Sequence, residues 1–182
     1  MNASFYMPTR VFFGENALMN NRSALLLGKH ALIVTGKTSA KASGALDDVT
    51  AVLDEFGITY TIFDKIQENP PLMTCFEGGK LAAEVGADFV IGIGGGSPLD
   101  AAKAIAAFAA NQDIEPMDIY DDKKRKNPTL PLIAIPAAVA AAISCSRISG
   151  VKVAGACEST SQSSLAAKSA ACSEKTVDLG ER

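Results

Sequence analysis

GIGGGSPLDAAKAIA, residues 92–106, sets the end of an apolar run, three consecutive glycines and an alanine-rich segment in immediate succession. The alanine-rich part has the composition of a helix, and a glycine loop feeding a helix N-terminus presents backbone N–H groups where an anion can sit. The ligand this points to carries a phosphate. Within the loop Ser97 stands where an N-cap belongs, Pro98 suits a first helical position, and Asp100 falls three residues after the cap, as in an acidic capping box. A cap alone does not call for the preceding glycines, which permit positive φ and close approach of the backbone to a ligand. Capping and phosphate binding are compatible.

The flanking sequence gives this loop its setting. Apolar runs at ALIVTGK (31–37), YTIFDKI (60–66), FVIGIGG (89–95) and LPLIAIP (130–136) read as buried strands. Between them, residues 42–57 place Leu46, Val49, Val52, Leu53 and Phe56 at helical spacing before Gly57. Residues 72–85 follow the Asn69-Pro70-Pro71 break and are closed by Gly86, and residues 98–110 form a third helix. Strand and helix alternate, which predicts an α/β fold: a Rossmann-like parallel sheet with helices on both faces, preceded by an N-terminal β segment. Such sheets bind ligands at the carboxyl ends of their strands, which groups Gly36 to Ser39, Asn69 to Pro71 and Gly94 to Asp100 on one rim. The spacing is not G-x-G-x-x-G after a first strand, so the usual dinucleotide fingerprint is absent.

Composition excludes several classes. The 182 residues carry a net charge of −3, which argues against a nucleic-acid binder. No apolar run reaches the roughly 18 to 20 residues that span a bilayer, and MNASFYMPTR has no charged leader followed by an apolar stretch. A cytoplasmic protein is expected. The four cysteines, Cys75, Cys145, Cys157 and Cys172, form no C-x-x-C pair and read as free thiols. Residues 121–126, DDKKRK, read as a solvated connection between the third helix and the last strand, with a basic patch for a phosphate as the less economical alternative.

Taken in order, FYMPTRVFFGENAL (5–18), LIVTGKTSAKASGALDDV (32–49), Asn69-Pro70, ADFVIGIGGGSPLDAAKAIA (87–106) and LPLIAIP resemble the nucleotide-binding half of the iron-containing alcohol dehydrogenases. The resemblance implies a NAD(P)-binding domain over 1–136, with the dinucleotide pyrophosphate cradled at Gly95, Gly96, Ser97 and Asp100 and Asn69 on the same cleft. It also implies a cofactor choice. An aspartate after the first strand's threonine would take the ribose hydroxyls of NAD. Gly36 there leaves room for the 2′-phosphate of NADP, with Lys37, Thr38, Ser39 and Lys41 to hold it. NADP is expected over NAD; the alternative for Lys37 and Lys41 is that they are solvated lysines of a helix start, a reading that for Lys41 weighs the same as the phosphate role.

The resemblance ends at Pro136. Where the family continues with a threonine-rich turn that completes the cofactor site, this chain has Ala137, Ala138 and Val139. Residues 137–182 are rich in Ala, Ser and Cys, and are expected to form a short helix at 137–143 and a weak helix or disorder at 155–175. A frameshift and a sequence evolved or selected as a compact domain are two origins for the change. The family's catalytic metal is held by an aspartate and three histidines in a second domain, whereas this sequence has one histidine, His30. No metal and no assigned catalytic residue are therefore expected, and alcohol oxidation by these residues alone is not, because the metal stabilises the reacting oxygen. Two further readings stand beside a truncated, dinucleotide-binding dehydrogenase. One is a small metal-independent hydrolase of phosphate esters that uses the cradle's donors. The other is a non-catalytic interaction fragment, whose bare apolar surface also allows a homodimer.

Overall fold

Strand residues alternate between the two faces of a sheet, so an apolar run is buried throughout only if helices cover both faces. The computed structural model of the chain, which describes residues 9–137 and 152–154, has this arrangement. Its strands are β1 (Val11–Phe12), β2 (His30–Gly36), β3 (Thr59–Ile66), β4 (Phe89–Gly94), β5 (Leu132–Pro136) and β6 (Lys152–Ala154). Its helices are α1 (Ala17–Asn20), α2 (Ser39–Ala42), α3 (Ala45–Glu55), α4 (Leu72–Glu84) and α5 (Gly96–Ala110), with 3-10 turns at Arg22–Leu25 and Pro116–Tyr120. The sheet is parallel throughout, in the order β1-β6-β5-β4-β2-β3.

Two cores result. Ala31 and Ile33 of β2, Phe89, Ile91 and Ile93 of β4 and Ile133 and Ile135 of β5 pack against Leu46, Val49, Val52 and Leu53 of α3. The intervening Leu32, Val34 and Val90, with Phe63 and Ile66 of β3, pack against Cys75 and Ala82 of α4 and Ala102, Ile105 and Phe108 of α5. The same four expected strands therefore divide their side chains between two helical layers.

Three boundaries differ from those expected. The segment expected as one helix from residue 42 is α2 and α3, separated where Gly44 takes φ 75°. Gly57 and Gly86, both at φ 66°, end α3 and α4 as expected, because an αL residue turns the chain off the helix. α5 begins at Gly96 rather than Pro98: the Leu99 N–H donates to the Gly95 carbonyl at 3.3 Å, which makes Gly95 the cap. β6 lies in the segment after Pro136 that composition sets apart, and it pairs with β5 and β1 inside the sheet. The helix expected at 137–143, apart from Ala137, and the segment 155–175 lie outside the described residues.

The charged connection after α5 is exposed but pinned. Asn111, 4% exposed, donates to the Ala107 and Asn127 carbonyls and accepts the Asn127 N–H at 2.9 Å. Asp118 pairs with Lys124 at 2.6 Å, and Asp122 pairs with Arg125.

Candidate functional site

The expected rim exists. β3, β2 and β4 are neighbours in the sheet, so the loops that leave their carboxyl ends lie side by side. Gly36 ends β2, and α2 begins three residues later at Ser39. Asn69 lies between β3 and α4, and Gly95 joins β4 to α5.

Pro98 and Ser39 hold these loops at close range. A Cβ on Gly94 would lie 2.9 Å from Pro98 Cγ and 3.4 Å from Ser39 Oγ, and Gly94 has φ 143°. A Cβ on Gly36 would lie 3.4 Å from the Ile66 carbonyl, 3.7 Å from Pro98 Cγ and 3.9 Å from Ser39 Oγ. Pro98 is thus a buried wedge between the ends of two strands. Gly92, inside β4, is required for another reason: its Cβ would come 2.8 Å from that of Ala102 on α5.

Gly95 and Gly96 differ from these. A Cβ on either would meet nothing within 4 Å, and neither has positive φ. No packing contact or backbone conformation among the described residues asks for glycine there, and a side chain would fill the space in front of the α5 N-terminus. With the Leu99 N–H bonded and Pro98 lacking one, Gly96 and Ser97 contribute the first-turn donors left for an outside acceptor. This arrangement fits an anionic group seated on the loop, with the positive end of a 15-residue helix behind it.

The capping box is not formed. Ser97 is the second helical residue and makes no side-chain cap bond; instead its Oγ accepts the Asn69 N–H at 3.4 Å. Asp100, 72% exposed, pairs with Lys103 Nζ at 2.8 Å. It lies one turn along the helix, and no hydrogen bond among the described residues brings it to the loop. The local pattern S-P-L-D misleads because a cap is set by which carbonyl closes the first turn, and here that is the Gly95 carbonyl. Asn69 itself has φ 49°, a region asparagine tolerates better than most residues. Lys37, Thr38 and Lys41 are exposed at the end of β2, and no ion pair engages either lysine among the described residues. The role of Pro98 was missed in the sequence, although a proline two residues after the glycines that end a strand is its signal.

The described residues contain no group of three or more His, Cys, Asp or Glu able to hold a metal ion. His30 begins β2, at the opposite end of the sheet from the rim, about 20 Å away at strand rise. Its ring nitrogens lie 2.6 Å from Thr59 Oγ1 and 3.0 Å from Thr61 Oγ1. A second concavity, about 240 Å³, lies at the C-terminus of α5 between Asn111 and Asn127 and shares no residue with the rim. Its lysines stand beside the carbonyl end of that helix, where cations offset the dipole. No helix of the described residues is long and apolar enough to cross a membrane.

Comparison with known proteins agrees with this geometry. A family model described as iron-containing alcohol dehydrogenase matches residues 8–172, past the point where the sequence motifs end. The chain is 42% identical over 129 residues to a long-chain primary alcohol dehydrogenase of Thermoanaerobacter ethanolicus, covering 68% of this chain and 32% of that protein. It is 34% identical to an NADPH-dependent butanol dehydrogenase of Clostridium saccharobutylicum, covering 66% of this chain and 29% of that protein. The crystal structure of an iron-containing alcohol dehydrogenase from Thermotoga maritima superposes with a TM-score of 0.69 at 46% identity, covering 73% of this chain and 37% of that one. The chain therefore spans about a third of the length of these relatives.

Proposed function

The chain belongs to the iron-containing alcohol dehydrogenase family, and from that premise we propose that it is the dinucleotide-binding part of an alcohol dehydrogenase, taking NADP in preference to NAD. The observation that carries this is the open space at Gly95 and Gly96 before α5. Bound there, the dinucleotide supplies the hydride acceptor or donor. The residues of this chain supply the binding: Gly95, Gly96 and Ser97 face the pyrophosphate, and the loop at Asn69 borders the same cleft. Gly36, Lys37, Thr38 and Ser39 face the adenosine ribose. The NADP preference rests on Gly36, which offers no carboxylate to a ribose hydroxyl, and on the unengaged Lys37 beside it.

We assign these residues binding without alcohol oxidation. The described residues offer no metal site, and the sequence's one histidine is tied to threonines at the far end of the sheet.

A thermal-shift titration with NADP, NAD and inorganic phosphate tests the proposal, since a ligand that binds only the folded state stabilises it by about 2.7 kcal/mol at a hundred times its Kd. A larger shift with NADP than with NAD or phosphate is expected. An NAD shift equal to or above that of NADP overturns the preference. A shift with phosphate alone overturns the dinucleotide assignment and turns attention to chelator-insensitive hydrolysis of phosphate esters.

A further inference from the structure

Asn69 stands out on the rim. Its φ is 49°, and it precedes Pro70, which presses the residue before it towards extended backbone. A residue in so sparsely populated a conformation persists only where its surroundings hold it, and such positions recur at ligand clamps. Among the described residues one hydrogen bond from another element engages its backbone: the Asn69 N–H donates to Ser97 Oγ across a separation of 28 residues.

That bond fixes the polarity of the serine. A hydroxyl has one proton and two acceptor positions. With Oγ accepting from Asn69, the Ser97 proton remains to be donated elsewhere, and no hydrogen bond among the described residues takes it. Ser97 lies in the first turn of α5, next to Gly95 and Gly96, where a Cβ would meet nothing within 4 Å. Among the described residues this is the one hydrogen bond between the loop that joins β3 to α4 and the phosphate-facing turn, and Pro70 and Pro71 have no N–H with which to add another.

We propose that Ser97 is a positioning residue: its hydroxyl latches the Asn69 amide so that the loop bordering the dinucleotide and the phosphate cradle close as one unit, with the serine proton turned to the ligand. The assignment of a ligand to the cradle rests on the function proposed above; the latch itself does not. The two fail separately. In the unliganded 182-residue chain, Ser97→Ala is expected to speed hydrogen exchange at the Asn69 amide about two- to fourfold, less than an ordinary hydrogen bond supports because this one is long and exposed, and Ser97→Thr, which keeps the acceptor, to restore protection. Asn69→Gly, which keeps the N–H and removes the strain, serves as the variant that folds if the others are perturbed. Its residue-69 amide is expected to stay protected with Ser97 in place and to lose protection when Ser97→Ala is added.

The ligand arm compares NADP with inorganic pyrophosphate, which contacts the cradle without reaching the loop. Ser97→Ala is expected to weaken NADP several-fold more than pyrophosphate, with Thr rescuing the difference. Equal weakening of both overturns the positioning role and leaves a plain phosphate contact. Unchanged exchange at Asn69 in Ser97→Ala overturns the latch. If the wild-type chain binds no dinucleotide, the proposed function falls and the exchange experiment still decides the latch.

Discussion

At the scale of single residues, the glycines of the 92–106 segment divide by what a methyl group would meet. Gly92 and Gly94 are fixed by Ala102 and Pro98, so part of the glycine signal belongs to packing of the sheet on its helix. Gly95 and Gly96 are free of such contacts, and this yields a separation of stability from binding. Gly96→Ala adds a good helix former where nothing is displaced, so its Tm should match or exceed the wild type while NADP affinity falls at least tenfold, about 1.4 kcal/mol, by calorimetry. Gly36→Asp should also fold, because a Cβ there has ordinary contacts. If Gly36 selects NADP, the variant favours NAD, and a ratio of the two affinities unchanged from wild type would remove that role. Asp88 gives a pH effect. Its carboxylate accepts the Lys29 N–H at 2.6 Å and the His30 N–H at 3.0 Å, and these bonds hold its pKa below the ordinary carboxylate value. The stability it contributes is present above the ordinary value and lost as pH falls through the lowered one. Asp88→Asn should flatten the acid limb of the Tm-against-pH curve, and an unchanged limb would mean the bonds contribute nothing to folding.

At the scale of elements, α4 and α5 touch through glycine. A Cβ on Gly79 would come 2.3 Å from Phe108 Cβ and 3.2 Å from the Ala109 nitrogen, whereas one on Gly78 would meet the Ile105 side chain at 2.6 Å. Backbone and a buried Cβ yield less than the tip of an isoleucine. Gly79→Ala should therefore destabilise by about 1–3 kcal/mol net of the helix-propensity gain, and Gly78→Ala by less, in urea unfolding. Equal effects would show that the helices part without cost. The existence of α4 was legible from the Gly86 stop that closes residues 72–85, and that of α5 from its alanine-rich composition. The start of α5 was not, because S-P-L-D satisfies a capping pattern that the Gly95 carbonyl pre-empts by closing the first turn. The strand β6 was not legible either, since three residues carry too little periodicity to be told from a loop.

At the scale of the whole molecule, Cys75 reports on the core between α4 and the sheet. It is 4% exposed, and burial pushes its thiol above the ordinary value. The neutral thiol's stability is intact below the ordinary thiol range and is lost as pH rises through the raised value. In peptide mapping, Cys75 should resist alkylation at neutral pH and react with the same urea midpoint as global unfolding; an earlier midpoint would mean that α4 opens alone. The sequence by itself determined the α/β class, the order of strands and helices, the rim on which the binding loops gather and the resemblance that the family match then showed. These follow from local periodicity, from turn residues and from the rule that parallel strands place their exits together. The tertiary structure alone decided that β2 lies between β3 and β4, that β6 enters the sheet, which glycines are crowded and which are open, and that Ser97 answers Asn69 rather than its own helix. Each of these depends on atoms brought together from distant parts of the chain, and neither the space at a Cβ nor the partner of a hydroxyl is encoded in the residues beside it.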